Sequence, residues 1–261
     1  MSAVILFRAS ADEEDEKQIA SQYLPVIDSR CQCQPGQTVI GRYSVLPYYK
    51  ELSKDIEAHG ARLINSFEQH LWIADFEYYH DLEQFTPQSW YEHNFHLCEH
   101  PGPFVVKGRT NSRKHQWNKK MFATSKQGAL TLARELSDDP LIAGQGIIFR
   151  EYIPLVTYEV GLNDLPFTNE WRIFYLGTKR LSHGYYWSLA ENKDREIAPE
   201  GLAFADTVAK IAAEHANFFV LDVAEKQEGG WTLIEVNDGQ MSGLSENKPE
   251  VLYRNLAEAA I

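Results

Sequence analysis

The chain has 261 residues, of which 44% are hydrophobic and 24% charged, so it is neither collagen-like nor wholly disordered and can form one large or two small domains. Its 37 acidic residues outnumber 25 basic residues, and the net charge of −12 argues against broad wrapping of duplex nucleic acid. The window from Pro101 to Arg134 has eight basic residues and no acidic residue, so it carries +8 and the remainder −20.

Cysteine usage and the N-terminal sequence indicate the compartment. The three cysteines, Cys31, Cys33 and Cys98, are too few for a disulfide framework, which favours a reducing environment. The first apolar run, Val4–Phe7, is too short for a signal peptide, and no run approaches the roughly 20 residues of a membrane span. We therefore expect a cytoplasmic protein that does not enter a membrane.

Strand and helix patterns alternate along the first quarter of the chain. Strands are predicted at Ala3–Arg8, Val39–Arg42 and Arg62–Asn65, with helices at Asp12–Tyr23 and Pro47–His59. This alternation indicates a parallel sheet with crossover helices. An aromatic-rich helix is predicted next, from Glu68 to Gln84.

The pattern changes at Pro101-Gly102-Pro103, which marks a boundary. After it come predicted strands at Phe104–Lys107, Gly146–Ile153, Phe218–Val223 and Trp231–Val236, and helices at Ser125–Leu136 and Pro199–Ala216, with a last helix near Pro249. A hairpin is predicted from Trp171–Leu176 and Lys179–Trp187, turning at Gly177-Thr178. The second half is therefore expected to be mixed α+β with antiparallel strands.

Three oxygen-bearing side chains lie on the last two predicted strands. Glu235 and Asn237 share one strand face because residues i and i+2 point the same way, and Asp222 lies beside them if the strands pair. Carboxylate and amide oxygens suit Mg²⁺, whose octahedron nucleotide phosphates would complete. The alternative is a polar, solvated strand face that ends in an Asn-Asp-Gly turn.

The basic window begins with a lysine at a strand end. Lys107 follows an apolar run, and the loop Gly108–Lys120 supplies cations, hydroxyls and backbone N–H groups that suit phosphates. Two alternatives stay open: a solvated basic loop, and an RNA-binding loop in which Trp117 and Phe122 interleave with the cations.

Two further strand segments carry polar residues. Arg172 alternates with apolar neighbours and shares a face with Glu170 and Phe174, so its guanidinium suits a phosphate or carboxylate, or forms an exposed Arg–Glu pair. The segment Ile148–Pro154 is either an ordinary strand end or an interlobe segment whose backbone contacts adenine.

In this order, the motifs resemble those of the ATP-grasp superfamily. The matching features are a strand lysine, a phosphate-covering loop, a Glu-Tyr-Ile hinge, an arginine-bearing strand and an Asp…Glu-x-Asn magnesium motif, here Lys107, Gly108–Lys120, Glu151-Tyr152-Ile153, Arg172 and Asp222…Glu235-x-Asn237. Glu170-Trp171-Arg172 is similar to the strand that marks a small phage and bacterial clade with two ATP-site lysines. The resemblance spans roughly Pro101 to Leu244.

The resemblance implies an α/β plus α+β fold in three parts. These are an N-terminal Rossmann-like pre-ATP-grasp domain (1–100), a small ATP-grasp lobe with the phosphate-covering loop (101–155) and a C-terminal lobe with the magnesium site (156–261). It also implies ATP and Mg²⁺ as cofactors.

Site roles follow from the same resemblance. Catalytic roles fall to Arg172 and Lys107, and ATP contacts to Lys107, Lys120, Lys114, Glu151, Tyr152, Ile153 and, for the ribose, Glu159. For the second ATP lysine, Lys120 is preferred to Lys114 and Lys119. Mg²⁺ would be held by Asp222, Glu235 and Asn237, and the substrate by His183, Tyr185 and Ser242.

The implied activity is a carboxylate–amine ligase that acts through an acylphosphate on an amino acid, a peptide or a protein terminus. Two alternatives remain: an ATP-grasp-type phosphotransferase, and a non-catalytic nucleotide- or RNA-binding module. A zinc site built from His93, His96, Cys98 and His100 is disfavoured because the spacing fits no common zinc pattern.

Overall fold

The computed structural model describes residues 2–8, 14–140, 142 and 144–260. Asp12 and Glu13, which begin the helix predicted at Asp12–Tyr23, lie outside these ranges. Among the described residues, no helix is both long and apolar enough to cross a bilayer.

The N-terminal part contains a four-stranded parallel sheet with the order β2-β1-β3-β4. All five residues of β1 are buried, as expected for a parallel strand that is covered on both faces. The elements are β1 (Ala3–Phe7), α1 (Glu14–Ala20), β2 (Val26–Ile27), β3 (Thr38–Arg42), α2 (Tyr49–Ala58), β4 (Arg62–Leu63), α3 (Phe67–Ala74) and α4 (Tyr78–Leu82).

The single helix predicted from Glu68 to Gln84 is wrong, because the chain breaks between α3 and α4. Phe76 adopts a positive φ of 65°, which a right-handed helix cannot include. Its ring is fully buried and stacks on Tyr79 at 5.5 Å between ring centroids. Burial of this ring therefore overrides the helical pattern of the surrounding residues.

The small lobe is an antiparallel sheet with the order β5-β8-β6-β7 and one covering helix. It includes β5, a strand from before the boundary expected at residue 101. Its elements are β5 (Ser89–Tyr91), β6 (Phe104–Gly108), β7 (Phe122–Ala123), α5 (Lys126–Ser137) and β8 (Ile147–Glu151).

The C-terminal lobe is built on an antiparallel sheet with the order β12-β11-β13-β14, and the predicted hairpin is confirmed as β11–β12. Helix α6 packs on one sheet face, while the opposite face meets β1 and α7. The elements are β9 (Thr157–Val160), β10 (Pro166–Thr168), β11 (Glu170–Leu176), β12 (Lys179–Tyr185), α6 (Pro199–His215), β13 (Phe218–Glu225), β14 (Trp231–Asp238) and α7 (Pro249–Ala260).

The strand register places the charged residues of this sheet in one row. Arg172 pairs with Asp222 across β11 and β13, and Asp222 pairs with Glu235 across β13 and β14. The expected pairing of the Asp222 and Glu235 strands is therefore confirmed.

Asn65 joins the N-terminal part to the C-terminal lobe. Its fully buried amide donates to Phe218 O at 2.7 Å and to Asp238 Oδ1 at 3.1 Å. Its Oδ1 accepts from the backbone N–H groups of Asn217 at 3.1 Å and Phe218 at 2.9 Å. One side chain thus satisfies both ends of a chain reversal.

We expect Asn65→Ala to lower the free energy of unfolding by about 3 kcal/mol, because it leaves several buried polar groups without partners. Urea denaturation measures the change. Asn192→Ala, at an exposed position, is the control and should change stability by less than about 0.5 kcal/mol. Equal effects of the two variants would contradict the role given to Asn65.

Candidate active site

The centre of the site is an ion pair on the C-terminal sheet. Arg172 donates from Nε and Nη2 to the two carboxylate oxygens of Asp222, at 2.9 and 2.7 Å. The Asp222 side chain is fully buried, and that of Arg172 is nearly so. Such a two-pronged pair compensates a carboxylate that could not stay charged alone in the interior.

A second buried ion pair joins the small lobe to the C-terminal lobe. Lys107, near the end of β6, contacts the Glu235 carboxylate on β14, and both side chains are at most 9% exposed. Burial opposes ionisation of Glu235, but Lys107 and Lys114 outweigh it and lower its pKa. Glu235 is therefore an anion placed between two cations.

The expected magnesium ligands lie side by side. Asn237 donates from Nδ2 to Asp222 Oδ2 at 3.0 Å, and Asp222 is the register partner of Glu235. Two carboxylates and one amide oxygen are donors of the kind that Mg²⁺ takes, so this set fits the ion. In the part of the chain that the structure describes, no group of three His, Cys, Asp or Glu residues could hold a metal, so further oxygen ligands would have to come from phosphates.

The basic loop folds onto the C-terminal lobe. The Lys114 ammonium contacts the Tyr186 hydroxyl and lies 4.0 Å from Glu170 Oε1. Burial opposes the charge of Lys114, but Tyr186 and the nearby carboxylates raise its pKa overall. A further contact joins Asn163 Nδ2 to the carbonyl of His115 at 2.7 Å.

The conformation of this loop distinguishes its lysines. Trp117–Met121 forms a π-helical turn, and Trp117 and Met121 both line the adjacent cavity. Lys119 is exposed, and Lys120, the residue preferred from the sequence, is not among the lining residues. The structure instead brings Lys114 to the cavity beside Lys107.

Tyr186 is a residue of this site that sequence analysis missed. Its ring lies 4.0 Å from Lys114 Nζ and 4.9 Å from Arg172 Cζ, measured to the ring centroid. The signal was available: Gly184 pairs with Arg172, so the residue two positions later faces the same side.

A cavity of about 120 Å³ opens between the two lobes. One part of its wall is apolar and includes the hinge, and the opposite end is charged. Its lining includes Val105, Met121, Glu151, Tyr152, Ile153, Leu165 and Ile234 on the apolar and hinge side, and Lys107, Lys114, Arg150, Glu170 and Glu235 at the charged end. An apolar wall with a few convergent polar groups is typical of a small-molecule site.

Glu170 places a carboxyl group in this cavity. It is 3% exposed, and burial, partly offset by Lys114, raises its pKa to about 7. Its Oε1 accepts no hydrogen bond from the described residues. Glu159, the expected ribose ligand, instead accepts from Glu191 N at 3.0 Å and does not line the cavity.

The three expected substrate residues lie elsewhere. His183 and Tyr185 flank Gly184, the partner of Arg172, so they point to the opposite face of the sheet and line a separate pocket. Ser242 donates from its hydroxyl to Asp238 O at 2.7 Å and thereby closes the turn after β14.

Comparison with known proteins gives one family match. The family model, described as an ATP-grasp domain and numbered family 3 of its clade, matches residues 94–256, which is more than half of the chain. No curated protein sequence matches the chain.

Solved structures share the fold at low sequence identity. D-cycloserine synthetase DcsG matches with a TM-score of 0.65 at 12% identity, covering 99% of this chain and 98% of that chain. The ATP-grasp ligase PsnB, complexed with a minimal precursor, gives 0.59 at 12% identity, covering 100% and 99%. D-alanine–D-alanine ligase from Bacillus anthracis, complexed with ATP, gives 0.55 at 11% identity, covering 91% and 84%. The fold expected from the motifs is confirmed.

Glu170 predicts a pH-dependent difference in stability. A carboxyl whose pKa rises from 4.5 to about 7 on folding costs stability as the pH increases through that window, and the full cost applies above it. We therefore expect Glu170→Gln to raise Tm by about 3 °C or more at high pH, with a much smaller gain near pH 5.

Thermal melts of both proteins across this pH range measure the difference. Glu228→Gln, at an exposed position, is the control and should give a flat difference. A gain for Glu170→Gln that does not vary with pH would contradict the assignment.

Proposed function

The chain belongs to the ATP-grasp superfamily, and we propose that it is an ATP-dependent carboxylate–amine ligase. The observation that carries the proposal is the convergence of Lys107 and Lys114 with the anionic Glu235 at the charged end of the interlobe cavity. Cations beside metal-type ligands form the arrangement that a magnesium–nucleotide complex requires.

The adenine would lie at the apolar end of the cavity, against the hinge. The N–H groups of Glu151 and Tyr152 already donate to Gln88 O at 2.8 Å and Pro103 O at 3.0 Å. The neighbouring Ile153 N–H is thus the hinge donor that we assign to the base. Glu170, whose Oε1 lacks a hydrogen bond among the described residues, would accept from a ribose hydroxyl.

The triphosphate would lie at the charged end. Lys107 and Lys114 would each donate to phosphate oxygens, as ammonium groups do at phosphate sites. Asp222, Glu235 and Asn237 would hold Mg²⁺, which when bound neutralises phosphate charge. Each lysine already contacts an anionic or hydroxyl partner, so nucleotide binding would exchange those partners for phosphates.

In the proposed reaction, a substrate carboxylate oxygen attacks the γ-phosphorus of ATP, which releases ADP and forms an acylphosphate. An amine then attacks the acyl carbon, and phosphate leaves as the C–N bond forms. Arg172 would stabilise the transferring phosphoryl group or the carboxylate. The loop Gly108–Lys120, folded over the site, would exclude water that would otherwise hydrolyse the acylphosphate.

The relatives support ligation rather than simple phosphorylation. The structures that match include two ligases and a synthetase, and one ligase was determined with a precursor bound. We therefore propose amino acids or peptides as the substrate class. Formation of a stable phosphorylated product would instead identify a phosphotransferase.

The activity test combines ADP release with chemical trapping. Amino acids and peptides are screened as carboxylate donors with ATP, Mg²⁺ and hydroxylamine, and products are read by mass spectrometry. We expect ADP and a hydroxamate of the same acid, because hydroxylamine replaces the natural amine at an acylphosphate. ADP with a stable phosphoester would contradict the ligase assignment.

We expect Glu235→Gln to reduce ADP release about 100-fold or more, because the isosteric amide removes the charge that pairs with Lys107 and would bind the metal. Arg172→Ala should give a comparable loss. Glu228→Gln is the matched control and should retain wild-type turnover. Wild-type rates in both site variants would overturn the proposed function.

The two loop lysines give a separate prediction. Lys114→Ala should raise the KM for ATP at least tenfold through loss of a charge-assisted hydrogen bond, whereas Lys120→Ala should change it by less than about threefold. Steady-state kinetics measures both values. A larger effect at Lys120 would restore the assignment made from the sequence.

A further inference from the structure

A second cavity lies at the carboxyl edge of the N-terminal parallel sheet. The chain passes from β1 to β2 on one side of β1 and then to β3 on the other side. At such a reversal the connections after adjacent strands diverge and leave a crevice, the usual ligand position in open parallel sheets. Here the crevice is an open cavity of about 760 Å³.

The lining of this cavity is rich in hydrogen-bond donors. Arg8 follows β1 and Tyr43 follows β3, and the Arg8 guanidinium carbon lies 5.2 Å from the Tyr43 ring centroid. Arg30 lines the same cavity and donates from Nη1 to Asp55 at 2.6 Å. Arg30 Nε and the Tyr43 hydroxyl are buried and have no hydrogen-bond partner among the described residues.

We propose that this cavity binds a carboxylate of the substrate that is not consumed in the reaction. The inference rests on the proposed function, because that function makes amino acids or peptides the ligands. Two guanidinium groups and a phenol form a donor set suited to a planar, singly charged carboxylate. The buried donors of Arg30 and Tyr43 would gain the partner that they lack.

The acidic residues around the cavity favour a carboxylate over a phosphate. Glu51, in the first turn of α2, lines the cavity, and Asp55 already holds part of the Arg30 charge. A phosphate dianion would meet more repulsion there than a monoanion. Glu51 would also attract a substrate ammonium group, as an amino acid or peptide carries.

One loop connects this cavity region to Arg172. Arg42, the residue before Tyr43, donates from Nη1 to Gly239 O at 2.7 Å and to Ser242 O at 2.9 Å. The next carbonyl, that of Gly243, accepts from Arg172 at 3.0 Å. The loop after β14 therefore lies between the carboxyl edge of the N-terminal sheet and the reacting centre, as a substrate bound at both would require.

The experiment measures binding and turnover separately. Common L- and D-amino acids and dipeptides, each paired with its primary carboxamide, are tested by thermal shift with Mg²⁺ and a non-hydrolysable ATP analogue. We expect at least one free acid to stabilise the protein and its carboxamide to bind at least tenfold more weakly. Arg8→Gln should weaken the acid at least tenfold and Tyr43→Phe about threefold or more, with nucleotide affinity unchanged.

Arg62→Gln removes an exposed arginine from the same sheet, outside this cavity, and is the matched control with wild-type acid affinity. The inference is overturned if no acid binds, if carboxamides bind equally well, or if both cavity variants retain wild-type affinity. Acid binding that depends on Arg8 but yields no ADP in the turnover assay would support the cavity and reject the ligase. Turnover with unaltered acid affinity in the variants would do the reverse.

Discussion

Neutralisation of buried carboxylates is the constraint on which the site depends. Asp222 and Glu235 lie in the interior of a sheet face, where an unpaired anion is costly. Arg172 from a neighbouring strand and Lys107 from the other lobe neutralise them. Because the cations come from separate elements, the same contacts that make these charges tolerable also hold the two lobes together. A ligand that brings both phosphates and Mg²⁺ could replace each pair without leaving a buried charge unmatched.

The N-terminal part is joined to this centre by side chains that satisfy backbone groups. Asn65 holds the start of β13, and Arg42 holds the loop after β14 through two carbonyls. Gly184 lets the same loop approach β12, since a Cβ there would lie 2.3 Å from the backbone of Glu246 and Asn247. The loop that covers Arg172 is therefore positioned by residues distant in the sequence, which couples the N-terminal sheet to the reacting centre.

Much of the charged row could be predicted, because strand periodicity puts Glu235 with Asn237 and the motif order points to Lys107 and Arg172. The remaining positions depend on information that is not local. Adjacent Tyr185 and Tyr186 face opposite sides, and only the pairing of Gly184 with Arg172 decides which one enters the site. The choice of Lys114 over Lys120 depends on a π-helical turn that no spacing rule predicts. Glu170 was recognised as part of a motif, but its burial required the packed lobes.

The most direct test of the central claim is a crystal structure with Mn²⁺ in place of Mg²⁺ and a non-hydrolysable ATP analogue, with the metal located by its anomalous signal. The account predicts Mn²⁺ bound by Glu235 and its neighbours Asp222 and Asn237, with Lys107 moved from Glu235 onto a phosphate. Nucleotide bound elsewhere, with the Lys107–Glu235 pair intact and no metal at these residues, would contradict it.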